Sequence, residues 1–144
     1  MMPKLFAFTC SWWRADPSFF IDGEAGDKIR SPIPAYFIEH PKGLVVFDTG
    51  MAERYRIPGK ARDLALQHGG LEFDSQDDIA AHITAIGLDP GKVKWIINSH
   101  LHADHCGGNV SLPNAEVIVQ RKELEYARAR ADGMLYEPAY FDNG

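Results

Sequence analysis

Several things are scarce in this chain of 144 residues, and each scarcity narrows what it does. There are only two cysteines, Cys10 and Cys106, too few for a disulfide scaffold. No apolar run approaches the roughly 18 residues of a membrane span. The N-terminus MMPKLFAFTC is too short for the apolar core and cleavage site of a signal peptide, so a cytoplasmic location and no membrane partner are expected. Positive charge is in deficit. With 15 Lys and Arg against 20 Asp and Glu, the net charge is −5, which leaves no basic footprint for nucleic acid. There are six histidines in all, and none follows His105. The remaining composition, 45% hydrophobic and 24% charged, is that of an ordinary globular chain able to bury one core.

Three of those six histidines fall within six positions, in WIINSHLHADHCGGN (Trp95–Asn109). An apolar, β-branched and aromatic run, Val93–Asn98, reads as a buried strand that delivers them. His100 and His102 are two apart, so at a strand end their side chains leave on the same side. Asp104 and His105 follow where the chain is expected to turn, with Gly107-Gly108 supplying positive φ and letting backbone pass close by. Imidazoles with one carboxylate suit zinc and related first-row ions, whereas calcium and magnesium want oxygens. A metal there would polarise a carbonyl or lower the pKa of a bound water to roughly 7. Cys106, next to His105, reads either as a ligand or nucleophile or as a small residue filling space under the site; its glycine neighbours favour the second.

Elsewhere the chain punctuates itself clearly. Lys4–Thr9 alternates and reads as a first strand. CSWWRADPSFFIDG then carries Trp12, Trp13, Phe19 and Phe20 on what reads as a non-regular segment, where aromatics either line an apolar cleft or cap a sheet. Asp22–Arg30 is a polar turn, and Pro34 has to sit at a strand start or edge. Tyr36–His40 and Leu44–Phe47 form a hairpin around Pro41-Lys42. That hairpin ends in Asp48-Thr49-Gly50, which is also the catalytic motif of aspartic proteases; one such motif per chain would demand a homodimer and leave the histidine cluster unexplained. Met51–Phe73 lacks a period and reads as a long excursion whose Arg54, Arg56, Lys60 and Arg62 are solvated and whose His68 is exposed. A helix is expected from an Asp74-Ser75 cap, with Ile79, Ile83 and Ile86 on one face and His82 at its surface, stopping at Gly87. Glu116–Val119 reads as a strand, Arg121–Ala131 as a helix, and the tail as turn-rich.

SHLHADH resembles the HxHxDH signature of the metallo-β-lactamase superfamily of metal-dependent hydrolases. GLDPGKVKWIINSHLHADHCGGN with VIVQRKELEYA, and PIPAYFIEHPKGLVVFDTGM before it, are most similar to the N-acyl homoserine lactonases of that superfamily. The resemblance implies an α/β fold, the N-terminal half of an αββα sandwich with a mixed β-sheet and flanking helices. It implies two zinc ions, with His100, His102, Asp104 and His105 as ligands and Asp104 also taking a proton from the attacking water. Asp48 would support a metal-bound histidine by accepting its far N–H. The N-terminal aromatics Trp12, Trp13, Phe19 and Phe20 would hold the acyl chain of a lactone whose ring a metal-activated water opens. A glyoxalase-II-like thioesterase, or an inactive binding module, is the alternative. The later histidines and bridging Asp of the family pattern are absent, as is the lactonase tyrosine beside the substrate carbonyl. The chain is therefore expected to be a partial domain, 1–144, whose uncovered sheet face favours a homodimer.

Overall fold

The computed structural model describes residues 2–67, 69–131 and 135–142, so the reading of His68 and part of the tail lie outside the described residues. Within them the strands are β1 (Lys4–Ala15), β2 (Ile29–His40), β3 (Gly43–Phe47), β4 (Leu71–Glu72), β5 (Val93–Ile97) and β6 (Glu116–Ile118), in one sheet of order β4-β1-β2-β3-β5-β6. Pairing is antiparallel from β4 to β3 and parallel from β3 through β5 to β6. The helices are α1 (Lys60–Gln67), α2 (Ile79–Ala85), the single turn α3 (Ala103–Cys106) and α4 (Arg121–Ala129). The expected mixed α/β architecture is present.

Alternation along the strands sets the core. Ile33, Ala35 and Phe37 of β2, Val46 of β3 and Ile96 of β5 point to one face and are buried. Ile79 and Ile83 of α2 close over that face, both fully buried, and Leu88 folds back onto the same cluster after Gly87 (φ 81) ends the helix. Burial of side chains this size stabilises by roughly 1.5–3 kcal/mol each. Pro32 and Pro34 pair with β1 on one side, while β3 reaches only Tyr36–His40 on the other. The proline half of β2 is thus an edge, where a missing N–H costs no ladder bond.

Five local readings are corrected. The segment after Thr9 is not irregular: β1 passes through an irregularity at Cys10 and continues to Ala15, carrying Trp12 and Trp13 on a strand. The excursion after Met51 contains α1, whose Leu64 and Ala65 give too short an apolar face to show a period. Arg54 there is not a solvated cation, since it pairs with Glu137 at 2.7 Å and lies partly buried over the rings of Tyr55 and Tyr140. The cap of α2 is Asp78, bonding Ala80 N at 2.8 Å; Asp74 instead caps the 3₁₀ turn Ser75–Asp77 in front of it. His82 is half-buried, stacked on Phe8 with its Nε2 3.2 Å from Thr9 O.

Candidate metal centre

β3 and β5 run parallel and end side by side, which brings Asp48 and Ser99 together just beyond the sheet. The chain after Ser99 then folds into α3 instead of an open turn, and this helix carries Asp104 and His105. Ligand atoms of His100, Asp104 and His105 lie within 4.8 Å of one another, a spacing that could hold one ion. His102 precedes α3. Its ring stands edge-on to His100 at 4.6 Å and to Tyr136 at 4.7 Å, against the group but outside the converging three.

Asp48 organises this cluster. It is 5% exposed and is the one non-glycine residue at positive φ (54°) among the described residues, a conformation that Asp tolerates better than most. Its Oδ1 accepts from Ser99 N at 2.8 Å, and its Oδ2 accepts from Ser99 Oγ at 2.7 Å and His105 Nδ1 at 2.9 Å. Because the Ser99 hydroxyl spends its proton on Asp48, it accepts from His100 Nδ1 at 3.1 Å. Both histidines are thereby fixed with Nδ1 protonated and Nε2 free to ligate. His105 Nε2 lies 3.5 Å from Asp104 Oδ2.

The electrostatics agree with that arrangement. Burial would raise the Asp48 pKa, but hydrogen bonds from His105 and Ser99 outweigh it and hold the carboxyl below its ordinary value. Burial likewise works against a charged His105, yet the Asp48 bond and the Asp104 charge raise its pKa. His100 is pushed down, first by burial and then by its histidine neighbours, toward the neutral form that can bind a metal. Two imidazoles oriented from behind and one carboxylate fit a first-row divalent ion. Asp48 is buried and both its oxygens are taken by Ser99 and His105, so its carboxylate serves the histidine cluster and is not open to the second carboxylate that the protease reading requires.

Residues not singled out from sequence hold the backbone under the site. Thr49 N and Asn98 Nδ2 donate to His105 O at 2.8 and 3.2 Å. Asn109 Nδ2 bonds Asn98 Oδ1 at 2.9 Å and Tyr140 O at 3.0 Å, and Thr49 Oγ1 bonds Asn109 Oδ1 at 2.9 Å. Thr49, Asn98 and Asn109 are all buried, so this network fixes α3 against the loop after β3. Gly107 and Gly108 serve that contact by their small size, not by positive φ. A Cβ on Gly107 would lie 2.2 Å from Ala52 N, and one on Gly108 2.3 Å from Thr49 O.

A cavity of about 170 Å³ opens beside Asp104, walled by Trp13, Phe19, Met51, Tyr55, Leu64 and Leu71. Two of the four aromatics singled out in the sequence therefore face it. Trp12 does not: it lies under the Arg30 guanidinium at 3.6 Å, next to Glu72, which Arg14 and Arg30 both grip at 2.7 Å, tying β4 to β1. Phe20 is 45% exposed and outside the wall.

Cys106 is fully buried, with Sγ donating to Leu101 O at 3.3 Å, in the space-filling place expected of it. Burial pushes the thiols of both Cys10 and Cys106 up to about 12. At pH 8 the folded protein is therefore expected to show almost no reaction with Ellman's reagent, and two thiols on unfolding in guanidinium. A fast-reacting native thiol would refute this placement of the cysteines.

The comparisons with known proteins agree with the geometry. The chain is 39% identical over 108 residues to the N-acyl homoserine lactonase AttM of Agrobacterium fabrum, covering 71% of this chain and 39% of that protein. It is 32% identical over 111 residues to the N-acyl homoserine lactonase AiiA of Bacillus thuringiensis subsp. kurstaki, covering 76% and 44%. The chain thus spans about two fifths of the length of these curated relatives. The fold superposes with a TM-score of 0.77 and 28% identity on a quorum-quenching N-acyl homoserine lactone lactonase, over 97% of this chain and 54% of that one. An N-acyl homoserine lactone hydrolase carrying N-hexanoyl-L-homoserine at its catalytic metal centre matches equally well, over 97% and 56%. The metallo-β-lactamase superfamily profile covers residues 29–143, from β2 through the histidine cluster and α4, and with the fold and the HxHxDH geometry in place the chain belongs to that superfamily.

Proposed function

We propose that this chain is the N-terminal half of a zinc-dependent lactonase of the cytoplasm, opening the ester ring of N-acyl homoserine lactones. One observation carries the reading: the apolar cavity and the His-Asp cluster meet at Asp104. An apolar slot ending at a polar, cation-binding point suits a substrate with an alkyl chain at one end and a carbonyl at the other. The relatives named above, lactonases at 32–39% identity, support the same class.

His100, Asp104 and His105 would hold an ion, with His102 adjoining them for a second. Bound zinc supplies Lewis acidity toward an ester carbonyl and a lowered pKa for water. The residues of the chain do the rest. Asp48 and Ser99 keep the two imidazoles in one tautomer, and Asp104 takes the proton from the water that adds to the carbonyl. Trp13, Phe19 and Leu71 exclude water from the alkyl chain and orient the ring toward the cluster. With a net charge of −5, a neutral lactone is a more suitable partner than nucleic acid.

The test is to express the reading frame with whatever follows Gly144, load it with zinc, and compare acyl homoserine lactones with glutathione thioesters. Chelator-sensitive ring opening is expected, faster with longer acyl chains, and much weaker from residues 1–144 alone. Preference for thioesters would overturn the substrate. A stop codon directly after Gly144, with soluble active product, would overturn the half-domain reading.

A further inference from the structure

The segment His100-Leu101-His102 lies between β5 and α3; His102 caps α3, its carbonyl accepting from His105 N and Cys106 N, but neither strand nor helix bonds the Leu101 N–H. Something else must, because two candidate ligands flank Leu101. From its structural surroundings we infer that Glu123, in the first turn of α4, is the positioning residue of this segment. This rests on the metal reading above and extends it to a residue on a separate helix.

Glu123 Oε1 accepts from Leu101 N at 2.8 Å, across 22 residues of sequence. The position of Glu123 in its helix makes that choice informative. It is the third residue of α4, where a carboxylate ordinarily turns back to bond its own helix's N-terminal backbone. The N-cap residue Gln120 makes no side-chain cap bond, and the Glu123 carboxylate is used on the metal loop instead. The Leu101 side chain is held from the same side. It is fully buried against Cys106, Ala127 of α4 and Tyr136, with Leu124 packed on the cluster. One helix therefore grips Leu101 twice, by its N–H and by its side chain. Asp48 and Ser99 set the ring orientation of His100 from the other end. Rotation of the Leu101 peptide would swing both flanking histidines, so the Glu123 bond controls where they point.

Two substitutions separate the acceptor from the rest of the side chain. Glu123→Gln keeps an oxygen that can take the Leu101 N–H; Glu123→Ala removes it. Glu125→Ala, two residues along the same helix, is the control. Two readouts apply: the Leu101 amide proton shift and exchange rate without metal, and the visible absorption of bound cobalt(II) with its affinity. Glu123→Ala is expected to move the Leu101 amide upfield and speed its exchange at least tenfold. It should also weaken cobalt binding by roughly 10–100-fold, the usual loss when a ligand's support is removed, with a changed spectrum. Glu123→Gln should stay within about threefold of the parent on both counts. If Glu123→Ala unfolds the chain, Glu123→Gln decides: a displaced Leu101 amide or an altered cobalt spectrum overturns the assignment, and parent-like values with a protected Leu101 amide uphold it. Equal loss in the Gln and Ala variants overturns it too, as does a parent-like Ala variant. Failure of the metal reading itself would look different, since cobalt would then bind no variant, the parent included, while the Leu101 amide still reported the bond.

Discussion

Asp104→Ala and His105→Ala are each expected to remove metal binding almost completely, the largest effect of any single substitution in this chain. Each takes away one of the three ligand atoms that converge within 4.8 Å. Asp48→Ala should be milder, costing roughly 10–100-fold in affinity, because it leaves the ligands present but frees their orientation. The gradation matters more than either value. Asp48 contacts His105 and Ser99, and through Ser99 it governs His100, so its loss loosens two imidazoles without deleting either. Titration with zinc or cobalt, alongside circular dichroism to confirm folding, measures the series. A parent-like affinity in Asp104→Ala or His105→Ala would remove the centre from this place. Peptide cleavage that survives chelator and dies with Asp48 would restore the aspartic protease reading of Asp48-Thr49-Gly50.

The proton balance gives the same series a pH dependence. In the metal-free protein the bond with Asp48 holds His105 toward its protonated form, and the Asp48 carboxyl below its ordinary value. An entering ion must displace that proton, so affinity falls as the pH drops through the raised pKa of His105. The same pair contributes to folding with opposite limits. The His105 contribution is complete below its unfolded pKa and fades as pH rises past the folded one; the Asp48 contribution is complete above its unfolded pKa and fades as pH falls past the lowered one.

The sequence made the ends of the argument legible and hid its middle. His100, His102, Asp104 and His105 stood out because the chemistry of metal binding restricts residue type and few other roles gather such residues in one short stretch; Asp48, far from them in the chain, was named only through the family resemblance. The strands β2, β3, β5 and β6 showed through their apolar runs. What stayed hidden depends on contacts between distant segments. Nothing local in Thr49, Asn98 or Asn109 reveals that they bond one another under α3, and Glu123 looks like any first-turn acid until Leu101 is placed beside it. Of the two reasons for marking the glycines after Cys106, close passage of backbone holds and positive φ does not. Close approach to Ala52 and Thr49 is a property of the fold, whereas positive φ would have been a property of the turn. Trp12 and Trp13 differ only by one step along β1, and that step puts one toward the cavity and the other against Arg30.

A second large effect is expected from the sheet itself: the 144-residue chain alone should self-associate, without gaining a second tight zinc site. On the face away from α2, the register aligns Leu5, Ile38, Val45 and Trp95 in one row and Tyr36, Phe47, Ile97 and Ile118 in the next. Leu5 is 66% exposed, Ile118 44% and Tyr36 38%, and no helix among the described residues gathers over them as α2 does over the other face. Two apolar rows across five strands form a larger patch than monomers usually leave in water. Pairing two copies face to face would cover both patches, so sedimentation should give a dimer or larger species. Tyr36→Lys, which places a charge in the middle of a row, should shift it toward monomer. Pairing need not complete the metal centre. Zinc normally takes four ligands, or three with water, and the cluster here offers three ligand atoms. Titration is therefore expected to show about one ion per chain and no tight second site, whatever the oligomeric state. A monodisperse monomer holding two zinc ions tightly would mean that the exposed rows are covered from within the chain and that its ligand set is complete.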